Sequence, residues 1–158
     1  MKAVSIKELK EELKHHSPKD LLELCLRLAV FKKENKELLT YLLFESDNEL
    51  SYIESIKAEI DEQFEQINKK TYYLMKKSVR KILTNVKKYI RYSQNKQTEI
   101  ELLIYFCNKL KNLKPSIHRS PRLMNLYNGQ IELIRKKLPA LHEDLQHDLG
   151  MELDALSK

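Results

Sequence analysis

The chain has 158 residues, of which 33% are charged and 42% are hydrophobic. These proportions are typical of a folded protein and exclude a disordered polyelectrolyte. The chain holds only two glycines and four prolines, so it lacks the turn residues that a sheet protein needs. We therefore predict an all-α fold, with a single domain over residues 1–150 and a frayed tail over residues 151–158.

The net charge of +6 conceals a strong segregation of charge along the chain. Residues 1–65 sum to −5, residues 66–131 to +13 and residues 132–158 to −2. Segregation on this scale predicts that the middle of the chain meets acidic groups, either on the same chain or on a partner.

Met1 to Lys14 has no apolar core of signal-peptide length, so we expect no secretion signal there. The longest apolar run, Leu38 to Phe44, is too short to span a bilayer. We expect a soluble, cytoplasmic protein without a membrane span. Cys25 and Cys107 lie at helical spacing among apolar residues. This setting predicts two buried, unpaired thiols in the core.

Helix-start signals and apolar spacing divide the first half of the chain into four helices. Three of them have a start signal, and the third in order is predicted from its apolar residues over Asn35 to Phe44. A capping box pairs a Ser or Thr with a Glu three residues later, and a Pro is favoured in the first turn. These signals occur at Ser5 with Glu8, at Ser17 with Pro18, and at Ser46 with Glu49. The second and third helices are apolar on nearly every side, so we predict that they form the buried centre of the N-terminal half.

The second half is organised around a long helix over residues 71–94. Its apolar side chains share one arc, which must be buried, when residues are placed about 100° apart. Only Asn68 to Lys70 separate it from an acidic fourth helix, whose apolar stripe includes Leu50 and Ile53. We therefore predict an antiparallel hairpin that buries Phe64, Ile67, Met75, Val79 and Val86. Ser120 and Pro121 begin a later helix, Pro139 interrupts it, and Gly150 is expected to end the last one. The result is seven or eight helices in sequential antiparallel hairpins, stacked as an α-α superhelix or an irregular bundle.

The opposite arc of the long helix carries the residues that we predict to bind a polyanion. Cations at this density must be solvated or must meet acidic groups. Two tyrosines beside them, Tyr73 and Tyr92, are candidates for stacking on nucleic-acid bases. Together with two arginines from the loop near residue 120, the predicted cations are Lys69, Lys76, Lys77, Arg80, Lys81, Lys87, Lys88, Arg91, Arg119 and Arg122.

No motif for catalysis, a cofactor or a metal is present. Phosphate-cradling glycine loops and nucleophile elbows are missing. His142 and His147 are five residues apart, so their rings point about 140° away from each other on a helix and cannot share an ion. We predict no enzyme activity, cofactor, metal site or small-molecule substrate.

Charge and the absence of catalytic motifs favour a non-enzymatic helical binding module. The first interpretation is a basic face on residues 71–94 that engages a polyanion, with nucleic acid the favoured kind. The alternative is a protein interaction scaffold, in which the same cations meet acidic helices of a protein partner or of the chain itself.

Overall fold

The computed structural model describes residues 1–158 and confirms the all-α class, with eight α-helices and no strand. No helix in it combines the length and the apolar character that crossing a membrane requires. The helices are α1 (Ile6–Leu13), α2 (Pro18–Phe31), α3 (Lys33–Thr40), α4 (Glu49–Glu65), α5 (Tyr72–Ser93), α6 (Lys96–Lys111), α7 (Pro121–Lys137) and α8 (Glu143–Ser157). A turn of π-helix follows α3 at Tyr41–Glu45, and 3₁₀ turns precede α7 and α8 at Ile117–Arg119 and Leu138–Ala140.

The chain packs as two compact units, an N-terminal unit of Met1–Phe44 and a C-terminal unit of Glu45–Lys158. The sequence predicts one domain over residues 1–150, without a division between Phe44 and Glu45. Each unit has its own set of helices, and the two differ sharply in how much apolar surface they bury.

The caps predicted in the N-terminal unit are confirmed. The Ser5 hydroxyl accepts from the amide of Glu8 at 3.3 Å, and the Glu8 carboxylate accepts from the amide of Ser5 at 2.8 Å. Ser17 caps α2 by accepting from the amide of Asp20 at 3.2 Å, and Pro18 follows it in the first turn. Local hydrogen bonding thus sets where both helices begin.

The prediction that the second and third helices form a buried centre is wrong. Helices α1, α2 and α3 contain no buried residue, and within this unit only Tyr41 is buried. The main packing partner of α2 is the short helix α3. One eight-residue helix covers a single side of α2, so side chains on its other sides, such as Val30 and Phe31, remain exposed.

The two cysteines lie in opposite environments. Cys107 is buried in α6 without a disulfide partner, as predicted, and its burial raises the pKa of its thiol to about 12. Cys25 is also unpaired but exposed, so the prediction that it is buried is wrong. The cause is the same lack of covering surface around α2.

We expect a thiol reagent to label one cysteine per native chain. Cys25 should react rapidly at pH 8, whereas Cys107 should react only after denaturant is added, because the thiolate is the nucleophile and burial suppresses it. Mass spectrometry of tryptic peptides over time measures both rates. Fast labelling of Cys107 in the folded protein would contradict this assignment.

Helix α6 is the centre of the C-terminal unit. It packs against α4, α5, α7 and α8. Six of its side chains have no exposed surface, and this degree of burial makes α6 the axis of a helical bundle: Ile100, Leu102, Leu103, Phe106, Cys107 and Leu110.

Helices α4 and α5 form the predicted antiparallel hairpin. The Tyr52 hydroxyl, near the start of α4, donates to the carbonyl oxygen of Tyr89, near the end of α5, at 2.8 Å. At the other end, the amide of Asn68 donates to the Ser78 hydroxyl at 3.3 Å. All five side chains predicted to be buried in the hairpin are buried: Phe64, Ile67, Met75, Val79 and Val86.

The start of α4 differs from its prediction. Asn48, rather than Ser46, is the cap, and its side chain accepts from the amide of Ser51 at 3.2 Å. Leu50, which the sequence places in the buried stripe, is 71% exposed. Ile53, from the same predicted stripe, is buried as predicted, and Tyr52 is buried beside it near the helix start.

The C-terminal segment is helical, so the predictions of a stop at Gly150 and of a frayed tail over residues 151–158 are wrong. Leu149, Leu153 and Leu156 are all buried on one side of α8. The Tyr127 hydroxyl also donates to the carbonyl oxygen of Leu156 at 2.7 Å. Packing of this apolar stripe outweighs the low helix propensity of one glycine.

Candidate nucleic-acid interface

Helices α5 and α7 flank the central helix α6, and they begin at the same end of the C-terminal unit. The Tyr72 hydroxyl, in the first turn of α5, donates to the carbonyl oxygen of Ser116 at 2.8 Å. Ser116 lies in the turn that precedes α7. Since α6 connects the two helices by running back along α5, both point in the same direction and leave a furrow between them.

This furrow, the α5–α7 groove, has a volume of about 700 Å³. Four of its lining residues are cations and none is an acid, which makes it the part of the structure where predicted polyanion-binding residues converge. The α5 side is lined by Lys76, Arg80, Leu83, Thr84 and Lys87, and the α7 side by Arg122, Asn125, Leu126 and Gln130.

The four groove cations have no carboxylate within 4.0 Å. Arg80 and Arg122 are exposed, whereas Lys76 and Lys87 are half-buried. The ammonium of Lys76 lies 5.5 Å from the ring centroid of Tyr73, which is a weak contact that leaves its charge uncompensated. The groove therefore presents positive charge without an internal counterion.

Two acids of α4 are bound to groups on α5 and α6. Glu59 accepts from the Tyr89 hydroxyl of α5 at 2.8 Å. Asp61 pairs with Lys109 of α6 at 3.0 Å and accepts from the Tyr105 hydroxyl. Burial acts to raise the pKa of Asp61, but the hydrogen bonds from Tyr105 and Lys109 outweigh it and hold the pKa below its ordinary value. These two carboxylates thus serve the packing of α4 on α5 and α6 and do not neutralise the groove cations.

The helix ends add to the positive potential of the groove. Neither α5 nor α7 has an acid in its first turn, and their caps, Thr71 and Ser120, are neutral. The partial positive charge of each helix N-terminus is therefore uncompensated by side chains. The N-termini of both helices lie at the end of the groove that contains Lys76 and Arg122.

The structure separates the other predicted cations from the groove. None of the six lines it. Lys69 lies before α5 and Arg119 in the 3₁₀ turn, Arg91 lies one turn beyond Lys87, and the remaining three lie on another side of α5: Lys77, Lys81 and Lys88. Sequence reasoning missed Thr84, Asn125 and Gln130 as lining residues. Arg122, Asn125, Leu126 and Gln130 are spaced three, four and eight residues apart, a helical repeat that could have placed them on one side of α7.

The two predicted stacking tyrosines differ in exposure. Tyr73 is 57% exposed, and the ammonium groups of Lys76 and Lys77 lie 5.5 and 4.9 Å from its ring centroid. Tyr92 is half-buried and makes an edge-to-face contact with Tyr89 at 6.0 Å. Tyr73 is therefore the better placed of the two to stack on a base, although it lies outside the groove lining.

Comparisons of the chain with protein-family models, with curated proteins and with solved structures find no match in any of the three.

Proposed function

We propose that the C-terminal unit is a non-enzymatic module that binds nucleic acid through the α5–α7 groove. One observation carries the proposal: four cations from two helices converge on one concave surface with no acid among them. Concave surfaces lined by charge of one sign concentrate counterions, and phosphates are the polyanionic groups that Lys and Arg bind best. Both cysteines are unpaired, which fits the cytoplasmic location that we also propose.

Recognition in this proposal rests mainly on the phosphates. Phosphate contacts position a nucleic acid, whereas contacts to bases confer sequence preference. The groove is dominated by cations, so we expect affinity to depend strongly on salt and weakly on sequence. Tyr73 adds a sequence-tolerant stacking surface at the N-terminal end of α5.

A second candidate function is protein interaction, and the N-terminal unit favours it. Large apolar side chains are exposed on α2 and on the π-turn after α3, including Leu28, Val30 and Phe44. Contiguous exposed apolar surface is typical of protein contact sites. The sequence suggests another form of this alternative, in which acidic helices of a protein partner or of the chain itself meet the cations of residues 71–94.

The test is a titration of the full chain with labelled single-stranded RNA, single-stranded DNA and duplex DNA. Each phosphate contact releases a counterion, so four contacts give a slope of log affinity against log salt of about −2.8 for single strands and about −3.6 for a duplex. Fluorescence anisotropy between low and moderate salt measures both the affinity and the slope.

The outcomes separate the two functions. Binding with a slope near these values supports the nucleic-acid module. If no probe binds at about 100 μM protein in low salt, association is weaker than ordinary non-specific binding. The nucleic-acid proposal is then wrong, and an acidic protein partner becomes the function to test.

A further inference from the structure

Gln130 is the one side chain of the α5–α7 groove that combines burial with an unmet hydrogen bond. It lines the groove from α7, only 8% of it is exposed, and its carbonyl oxygen Oε1 has no hydrogen-bond partner. A buried carbonyl oxygen without a donor costs free energy, and such atoms are rare in folded proteins. Leucine or methionine would fill the same volume without this cost, so the carboxamide is explained by something other than packing.

We infer that Gln130 accepts a hydrogen bond from a single-stranded nucleic acid whose phosphates lie on the groove cations. This inference rests on the proposed function and adds to it a group that recognises the sugar or base. The terminal torsion of a glutamine side chain is soft. Rotation about it exchanges the positions of the carboxamide oxygen and nitrogen and can bring Oε1 to the groove side, where a 2′-hydroxyl or a base N–H can donate to it.

The rest of the lining suits one stretch of single strand. Leu83 and Leu126 provide apolar surface against which a sugar or a base can pack, while Thr84 and Asn125 add polar groups. From Lys76 to Lys87 the helix rises by about 16 Å. A groove of this length and of about 700 Å³ has room for a few nucleotides, and pockets of this size hold ligands rather than a whole duplex.

The direction of the groove separates the two kinds of contact. Arg122 and Lys76 lie at the end where both helices begin, and Gln130 lies two turns further along α7. A strand bound along the groove therefore has a phosphate near the helix N-termini and a neighbouring sugar or base beside Gln130. In protein complexes with nucleic acids, contacts to phosphates usually position the nucleic acid, and contacts to bases usually determine which sequence is bound.

The experiment compares three probes of equal length and charge: an RNA oligonucleotide, a DNA oligonucleotide of the same sequence, and an abasic deoxyribose-phosphate oligomer. The abasic oligomer has phosphates but neither a base donor nor a 2′-hydroxyl. We expect the native chain to bind RNA, or RNA and DNA, about 3- to 10-fold more tightly than the abasic oligomer, which corresponds to one hydrogen bond. A preference for RNA over DNA identifies the 2′-hydroxyl as the donor, and equal preference identifies the base.

The decisive variant is Gln130→Leu, which keeps the volume and removes the carboxamide. It should bind RNA, or RNA and DNA, about 3- to 10-fold more weakly than the native chain does and retain the affinity for the abasic oligomer itself. Any preference that is left comes from base stacking on Tyr73 and packing on Leu83 and Leu126. Its thermal midpoint should equal or exceed that of the native chain, because the unpartnered oxygen is gone. Asn128→Leu is the matched control: Asn128 is an exposed amide on the same helix outside the groove, and its loss should leave the preference intact.

Each other result has a distinct meaning. If the native chain binds all three probes equally, or if Gln130→Leu weakens all three alike, the inference about Gln130 is overturned and the charge-based function stands. If the native chain binds none of the probes, the proposed function itself fails.

Discussion

Replacing Lys76, Arg80, Lys87 and Arg122 together by Glu is expected to abolish nucleic-acid binding, with a loss of more than about 100-fold in affinity at low salt. Each substitution removes a cation and adds an anion, so phosphates are repelled where they were attracted. None of these four side chains is buried or forms an ion pair, so the helical content should be retained. Fluorescence anisotropy with labelled RNA and circular dichroism measure the two results.

A matched control changes the same number and kind of charges outside the groove. Lys77, Lys81, Arg91 and Arg119 are two lysines and two arginines, three of them on α5, and none lines the groove. Replacing them by Glu gives the same change in net charge. We expect this variant to lose less affinity, because none of its side chains lines the groove in which the phosphates lie, and salt screening weakens interactions that act over longer distances.

The comparison distinguishes a site from a general charge effect. If both variants lose affinity equally, net charge alone governs binding and the groove has no special role. If the groove variant binds RNA as the native chain does, the four cations are a solvated surface, and the protein interaction scaffold becomes the better explanation.

The sequence predicted the extent of α5 closely because helical periodicity is a local property. A side chain's position on the helix follows from its number and the 100° step. Lys76, Arg80 and Lys87 could therefore be placed on one side of α5 before any fold was known. Arg122 was predicted from its charge and its place near the loop, without knowledge of the surface it would join.

The groove itself could not be predicted, because α5 and α7 are not neighbours in the sequence. Their relation depends on how each packs on α6, and packing angles between helices follow from side-chain shape rather than from the apolar pattern alone. Asn125 and Gln130 have no charge or motif to mark them. Only the side-by-side placement of the two helices gives them a role.

The N-terminal unit shows where a prediction of burial from the apolar pattern fails. An apolar helix such as α2 is predicted to be buried because the transfer of Leu and Phe side chains from water to an apolar environment is favourable. Burial also requires a partner surface of matching extent, and α3 supplies only eight residues. The same reasoning succeeds for α6, because four helices surround it.

The centre of the C-terminal unit should be the most sensitive part of this chain to loss of volume. Phe106→Ala is expected to lower the free energy of unfolding by about 3–5 kcal/mol and Leu110→Ala by about 2–5 kcal/mol, because each leaves a cavity that the surrounding helices fill only in part. Both side chains have no exposed surface, and the Phe106 ring makes an edge-to-face contact with Phe64 at 5.7 Å.

Leu50→Ala is the matched control for Leu110→Ala, since it removes the same atoms from an exposed site in the same unit. We expect a change within about 0.5 kcal/mol, which is usual for surface positions. Urea unfolding followed by circular dichroism measures all three variants, and Phe106→Leu replaces Phe106→Ala if the latter does not fold. Equal losses at Leu50 and Leu110 would mean that Leu50 is buried, as the apolar pattern of α4 predicts, and that α6 is not the axis around which the bundle is stabilised.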